Sequence, residues 1–376
     1  MNARKLTLSS TFALALCAGA YAQIPDLLNA LDAGGRAMGL GGATYVTDSN
    51  TFSALSNPAG LGYVTRGMYG IAYRNLPESR TVISGNFNDP DFATEFDQGA
   101  FGMTHLGYAF PMGRGAVGVT YTRSGFIRDE RSGDGLPDGP LTVRFYEEVF
   151  RSQTDMFTLS YGTNSGGSTN YGVGLVIANQ YVLNRQDYQL FDGNNPVGSV
   201  SADNTGTGLG FGIVAGVILS PGNSSNMSVG ISAQSPIDLS GNDETSGYYD
   251  RIPGRLSAGI AARSDGRNGE YTIYGAQATW FFGGETDAVF SRDSYAMFGG
   301  GLEYSMNRWN ARIPIRIGYT VVPSGGTGFI DRDAFTFGLG YRPNGSDFSL
   351  DLSFARPSDG NSLDMALSIT YLLGKQ

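Results

Sequence analysis

The 376-residue chain contains one cysteine, Cys17, one histidine, His105, and two lysines, Lys5 and Lys375. One cysteine excludes an internal disulfide scaffold. One histidine excludes a histidine metal cluster, and without a serine elbow motif it also excludes a Ser–His–Asp triad. The sequence therefore reads as a non-enzyme that calls for no cofactor. Past the N-terminus no stretch reaches the roughly 18–20 uninterrupted apolar residues of a membrane helix. Basic residues are outnumbered, 25 against 34 acidic, and a net charge of −9 argues against nucleic acid as a partner.

Residues 1–22 have the layout of a secretory signal peptide. Arg4 and Lys5 precede an apolar stretch from Leu6 to Ala18, and Ala20-Tyr21-Ala22 is a small-x-small cleavage site before Gln23. A lipoprotein anchor at Cys17 is the rival reading, but Leu16 is larger than the residue that normally precedes such a cysteine. Cleavage removes Arg4 and Lys5 and no acid, so the net charge moves from −9 to −11. Apart from Lys375, every remaining cation is arginine, which suits bidentate phosphate contacts such as those of lipopolysaccharide. Genomic base composition explains the same bias more simply.

What the chain has in quantity is glycine (56), phenylalanine (22) and tyrosine (21), set out in alternation. Phe335, Phe337, Leu339 and Tyr341 alternate with Ala334, Thr336, Gly338, Gly340 and Arg342. Phe348, Leu350, Leu352 and Phe354 alternate with Ser349, Asp351, Ser353 and Ala355, and Leu363, Met365, Leu367, Ile369 and Tyr371 with Asp364, Ala366, Ser368 and Thr370. Period two is the mark of a strand with one apolar and one polar face. The same pattern predicts strands at 67–76, 79–87, 100–110, 115–124, 154–164, 169–182, 206–220, 226–235, 254–263, 270–282, 294–305, 310–321, 333–342, 346–355 and 363–373. One of the first two is surplus to an even-numbered barrel. Export, alternation and missing membrane helices together predict an all-β fold over 67–376. It is a transmembrane antiparallel β-barrel of fourteen strands in a bacterial outer membrane.

The predicted lipid-facing sets include Val117, Val119 and Tyr121; Phe157, Leu159 and Tyr161; Leu209, Phe211, Ile213, Val217 and Leu219; and Ile313, Ile315, Ile317 and Tyr319. Charge on that face costs on the order of 2–4 kcal/mol near mid-membrane. Parity accordingly turns the polar residues His105, Glu303, Arg312, Arg316, Asp351 and Asp364 toward the lumen or rim. Short turns are expected at 111–114, 221–225 and 343–345, and long extracellular loops at 125–153, 183–205, 236–253, 283–293 and 322–332. Phe126, Phe145, Phe150, Phe191, Tyr248 and Tyr249 fall in those loops, where they either form a low-affinity groove for a hydrophobic ligand or pack the loops together.

Residues 23–66 do not alternate. Ile24, Leu27, Leu28 and Leu31 have helical spacing, and Gly34 is placed to end the turn. Residues 35–43 are too glycine-rich for a stable isolated helix, and a short helical piece from Asn50 to Ser56 runs into Asn57-Pro58-Ala59-Gly60-Leu61. The segment is long enough to fold back as a plug, for which a fourteen-strand lumen has room. The pairing of Gly35-Arg36-Ala37-Met38-Gly39-Leu40-Gly41-Gly42-Ala43 with that Asn-Pro-Ala-Gly-Leu, just before a barrel, resembles the FadL-type outer-membrane transporter superfamily. That group includes long-chain fatty-acid and aromatic-hydrocarbon channels and the PorV-like proteins of secretion systems. The resemblance is close over 35–61 and loose in the barrel. It implies that 23–66 is a hatch to which Asn57, Pro58 and Ala59 belong.

By that resemblance the expected function is passive uptake of a hydrophobic, long-chain fatty acid-like small molecule through a hatch-gated barrel. The expected partners are that ligand, outer-membrane lipid and lipopolysaccharide. The alternative is a PorV-like scaffold or shuttle whose partners are secreted proteins or secretion-system components. A mature length of 354 residues and a last aromatic at Tyr371 lean that way. A third reading, a general polar porin, predicts an open conducting lumen. Two further motifs carry less. The glycines at 39, 41 and 42 lack the strand that precedes a dinucleotide loop. Asp134-Gly135-Leu136-Pro137-Asp138-Gly139, near Asp129 and Glu130, has a calcium-loop flavour without the full spacing, and reads as a surface turn.

Overall fold

The computed structural model describes residues 34–75, 78–97, 101–220, 226–240, 251–282, 294–323, 332–358 and 363–374. The signal peptide with Cys17, the helix expected around Leu27, the turn at 221–225, the loop at 283–293, and Tyr248 and Tyr249 lie outside these residues. The wall is built from fourteen strands: β1 (Met68–Asn75), β2 (Phe101–Met112), β3 (Gly115–Gly133), β4 (Leu141–Asn164), β5 (Thr169–Asp192), β6 (Asn195–Leu219) and β7 (Met227–Gln234). They continue with β8 (Gly254–Asp265), β9 (Tyr271–Phe282), β10 (Ser294–Arg308), β11 (Ala311–Val322), β12 (Arg332–Pro343), β13 (Phe348–Pro357) and β14 (Asp364–Leu372). Each pairs antiparallel with the next. The pairing of Met68–Arg74 with Leu372–Ala366 joins the last strand to the first, so the barrel is closed.

The strand surplus is resolved at the start. Residues 68–75 are a wall strand, whereas Glu78–Asn86 forms a hairpin with Asp89–Asp97 outside the ring and runs parallel to Arg128–Ser132 of β3.

Parity in the wall follows the alternation. Leu175, Phe211, Ile213, Ile317 and Phe335 are exposed on the outer face, while Thr120, Ser160, Gln277, Thr320 and Ser353 are buried on the inner one. Contiguous exposed apolar surface of this extent has no place in water and suits lipid. Tyr69 stacks on Tyr108 near the short-turn end, and Tyr319 packs against Phe335 near the other, in the manner of interfacial girdles.

The expected loops at 125–153 and 183–205 are not loops. β3 to β6 run for 19, 24, 24 and 25 residues, against about 9–11 needed to cross a bilayer. Their ladders continue through Arg131↔Glu148 and Asp187↔Ser201. The apolar signal stops at the water boundary because outward positions there are free to be charged, but the backbone ladder does not stop. Phe126, Phe150 and Phe191 are accordingly buried strand residues, and only Phe145 is exposed. Above the wall, Ile83, Phe87, Leu136, Val143, Tyr146 and Tyr188 form a separate apolar core that fastens the outer hairpin to the long strands. The Asp134–Gly139 turn belongs to this lobe: Asp134 accepts a hydrogen bond from the Phe145 amide and Asp138 one from Asn88. Among the described residues no acidic or histidine group is arranged to hold a metal ion.

Candidate functional site: the luminal segment and its anchors

Residues 34–64 fold as two helical turns and a 3-10 turn: α1 (Gly35–Gly39), α2 (Ser53–Ser56) and Pro58–Tyr63. Glycine-rich α1 would not stand alone; it forms because it is packed against the wall.

The segment touches the inner face of every wall strand, and glycine makes the approach possible. A Cβ on Gly70 or Gly107 would strike Thr51, and on Gly118, Ala54. On Gly162 and Gly172 it would strike Pro58, on Gly216 Asn57, and on Gly230 and Gly259 Val46. On Gly275 it would meet Ala43, on Gly299 Gly41, and on Gly301 and Gly318 Leu40. The remaining three strands are joined by hydrogen bonds: Thr336 donates to the Gly39 carbonyl, Ser353 to that of Gly35, and Ser368 accepts from the Gly35 amide. Fourteen strands thus close around one folded segment.

Asn57, Pro58 and Ala59 sit at the centre of this contact, all buried. Asn57 is extended, and its Oδ1 accepts from the Ala59 amide at 3.1 Å while Pro58 opens the 3-10 turn. Its Nδ2 donates to the Val46 carbonyl at 2.8 Å and reaches the Val217 and Ile231 carbonyls of β6 and β7 at 3.3 and 3.4 Å. One side chain therefore ties two arms of the segment to the wall. Asn57→Asp, which presents oxygen to three carbonyls, should cost more than Asn57→Ala, at about 1–3 kcal/mol per unsatisfied buried group. The measurement is protease cleavage within 34–66 in the folded barrel; Asp no more sensitive than Ala would refute the assignment.

A second anchor is ionic. Glu303 of β10 is fully buried and accepts from Arg36 Nε at 3.0 Å and from Arg316 Nε at 2.7 Å through the same Oε2, with the Tyr271 hydroxyl on Oε1 at 3.3 Å. Arg316 of β11 also pairs with Asp351 of β13 at 2.7 Å, and Arg342 of β12 stands 3.8 Å from the same oxygen. Arg36 pairs in addition with Asp48, which Thr44 holds at 3.1 Å. Three arginines and three carboxylates balance; Glu303, Arg316 and Asp351 are buried at the centre while Arg36 and Arg342 reach partly to solvent, and pairing is the condition under which the buried charge is tolerated.

The other polar residues expected to face inward do so separately. His105 is fully buried; Nε2 meets the Thr51 hydroxyl at 3.0 Å, Nδ1 meets Thr122 at 3.2 Å, and Phe52 stacks on the ring at 3.7 Å. Arg312 lies over the Tyr271 ring rather than in the ion network. Asp364 stands opposite Ala355 toward the long-strand end. Arg36 and Asp48 were missed by sequence reasoning because strand parity says nothing about a segment that does not alternate.

No protein-family model matches the sequence, and no curated protein matches it. Solved structures do. The chain has the fold of FadL-type channels, closed fourteen-strand barrels of the bacterial outer membrane. It is similar to a Pseudomonas aeruginosa FadL homologue (14% identity over 90% of this chain and 98% of that one, TM-score 0.60). It is similar as well to the Ralstonia pickettii toluene transporter TbuX (14%, 91% and 98%, 0.59) and the Pseudomonas putida toluene transporter TodX (10%, 92% and 99%, 0.59). At such identities the likeness is one of fold.

Proposed function

We propose that the protein admits hydrophobic small molecules across the outer membrane, and that residues 34–64 are the hatch that keeps the barrel shut between passages. The observation that carries this is the contact of one segment with all fourteen strands. A barrel stopped in this way is no general porin, and its wall turns an apolar band to the lipid from which, or across which, an apolar solute travels. The cations, arginine rather than lysine, remain suited to lipopolysaccharide phosphate. Asn57-Pro58-Ala59 is the turn about which the hatch is hinged, since proline restricts Asn57 and Gly60 permits the bend.

Monoaromatic hydrocarbons join long-chain fatty acids as probes because two of the similar structures are toluene transporters. In cells lacking other such channels, expression of the protein should raise the initial uptake of labelled toluene or labelled long-chain fatty acid about tenfold, and the more responsive probe defines the ligand class. Equal uptake of both with and without the protein would end the transport reading. None of the contacts described favours a scaffold for secreted proteins.

A further inference from the structure

The ladder between β7 and β8 stops at Gln234↔Arg255 and resumes, in the same register, at Ile237↔Ile252 and Asp238↔Arg251 as a separate two-stranded ribbon. In that register Pro236 faces Pro253. Neither has an N–H to give, so two facing prolines break the ladder at one level.

The break changes which way the chain faces. Below it, odd positions point outward, with Ile231 exposed and Ser232 and Gln234 buried. Above it, Ile237 and Leu239 are buried and Asp238 is exposed. A strand that continued the wall would have kept its parity. Residues 236–240, the strap, bow inward instead. Ile237 lies against the inner face of β6 at Gly210 and Gly212, and Pro236 crosses where Gly254 has no side chain. The chain rejoins the edge of β6 at Ser240, whose amide and carbonyl both bond to Leu209 at 3.0 Å.

The bow ends on the hatch. Ile237 and Leu239 share one apolar cluster with Leu55 of α2. At the foot of the strap, Arg255 is buried and donates to the Leu55 carbonyl at 3.1 Å. Leu55 is therefore bonded through its carbonyl to one side of the proline break and shares an apolar cluster with the other.

We propose that this strap is the catch on the second arm of the hatch: Ile237 and Arg255 hold α2, and α2 is freed when the strap straightens toward the wall. An apolar solute arriving from the long-strand side competes for the surface that Ile237 covers, which couples arrival to release. The inference rests on residues 34–64 being a hatch.

The test is amide hydrogen exchange on the full-length barrel in detergent, with Ile237→Ala and Arg255→Gln. The amides of Leu55, Ser56 and Asn57, which bond within the arm, should exchange about tenfold faster in either variant, with Met38 and Tyr45 unchanged. Pro236→Ala/Pro253→Ala, which returns two ladder donors, should give the same local effect without touching the cluster. Unchanged exchange, or a uniform rise along 34–64, overturns the catch. Uptake of labelled toluene and labelled fatty acid in the same variants separates the two ideas. Faster exchange with no uptake of either probe in variant or parent keeps the catch and removes the transport reading. Unchanged exchange in a barrel that takes up a probe does the reverse.

Discussion

Glu303→Ala should leave the wall intact and loosen the proposed hatch, so that a barrel silent in planar bilayers shows conductance steps. The carboxylate is the one link between Arg36 of the hatch and Arg316 of the wall, and it is sealed from water. Removing it leaves three arginines against two carboxylates around the buried Arg316, an imbalance that costs up to about 3–5 kcal/mol. The wall has a continuous backbone ladder on either side of Glu303 to absorb that cost. The first arm of the hatch, 34–48, has no ladder: it is held by its anchors, by short-range turn bonds and by the packing of Ala37, Met38, Tyr45 and Val46 against the wall. The strain therefore falls on the weaker element. Glu303→Gln, which keeps the shape and one acceptor, should conduct less often than Glu303→Ala. Arg36→Met placed on Glu303→Ala removes one of the stranded charges, and the pair should be less disturbed than the two single effects would give together. Additive effects, or a Glu303→Ala barrel as silent as the parent, would show that the ion network does not secure the hatch.

How much of the fold and of the hatch anchors is legible in the sequence depends on what each residue's surroundings demand of it. Lipid on one side of a strand permits only apolar residues, so the wall is plain in Phe335, Phe337 and Leu339 and in the even count of strands. Above the membrane the outer face meets water and the inner face packs a lobe that buries charge as well as apolar groups, Arg131 and Glu148 among them, so no comparable alternation is demanded. The upper halves of β3 to β6, with Arg128, Arg131, Glu148 and Arg185, therefore read as loops although their ladders are unbroken. Parity also turns Glu303, Arg316 and Asp351 inward but gives no height along the barrel, and without height their convergence cannot be read. Arg36 and Glu303 are 267 residues apart. The signal that alternation leaves unused is glycine. An inward glycine in strand after strand at one level, from Gly70 to Gly338, marks the path of something that passes too close for a Cβ.

A disulfide between the hatch and the wall should abolish uptake reversibly, which makes the motion of the hatch directly testable. A Cβ built on Gly70 of β1 would lie 3.1 Å from Thr51 Cβ, a few tenths of an ångström inside the separation of about 3.5–4.5 Å that a disulfide spans. Thr51→Cys/Gly70→Cys replaces the hydroxyl that crowds this approach with the sulfur that makes the bond. The background is clean, because the one native cysteine, Cys17, falls in the predicted signal peptide. The bridge would join the arm between Asp48 and α2 to a strand whose partners on both sides are secured. Oxidised protein should take up the responsive probe at the rate of cells without the channel, and dithiothreitol should restore it. Each single cysteine variant, treated alike, controls for crowding at Gly70. If the oxidised double variant, its bridge verified by mass, transports as fast as the reduced one, the solute does not pass by moving this arm, and the strand-to-strand seam above Gln234 becomes the place to look.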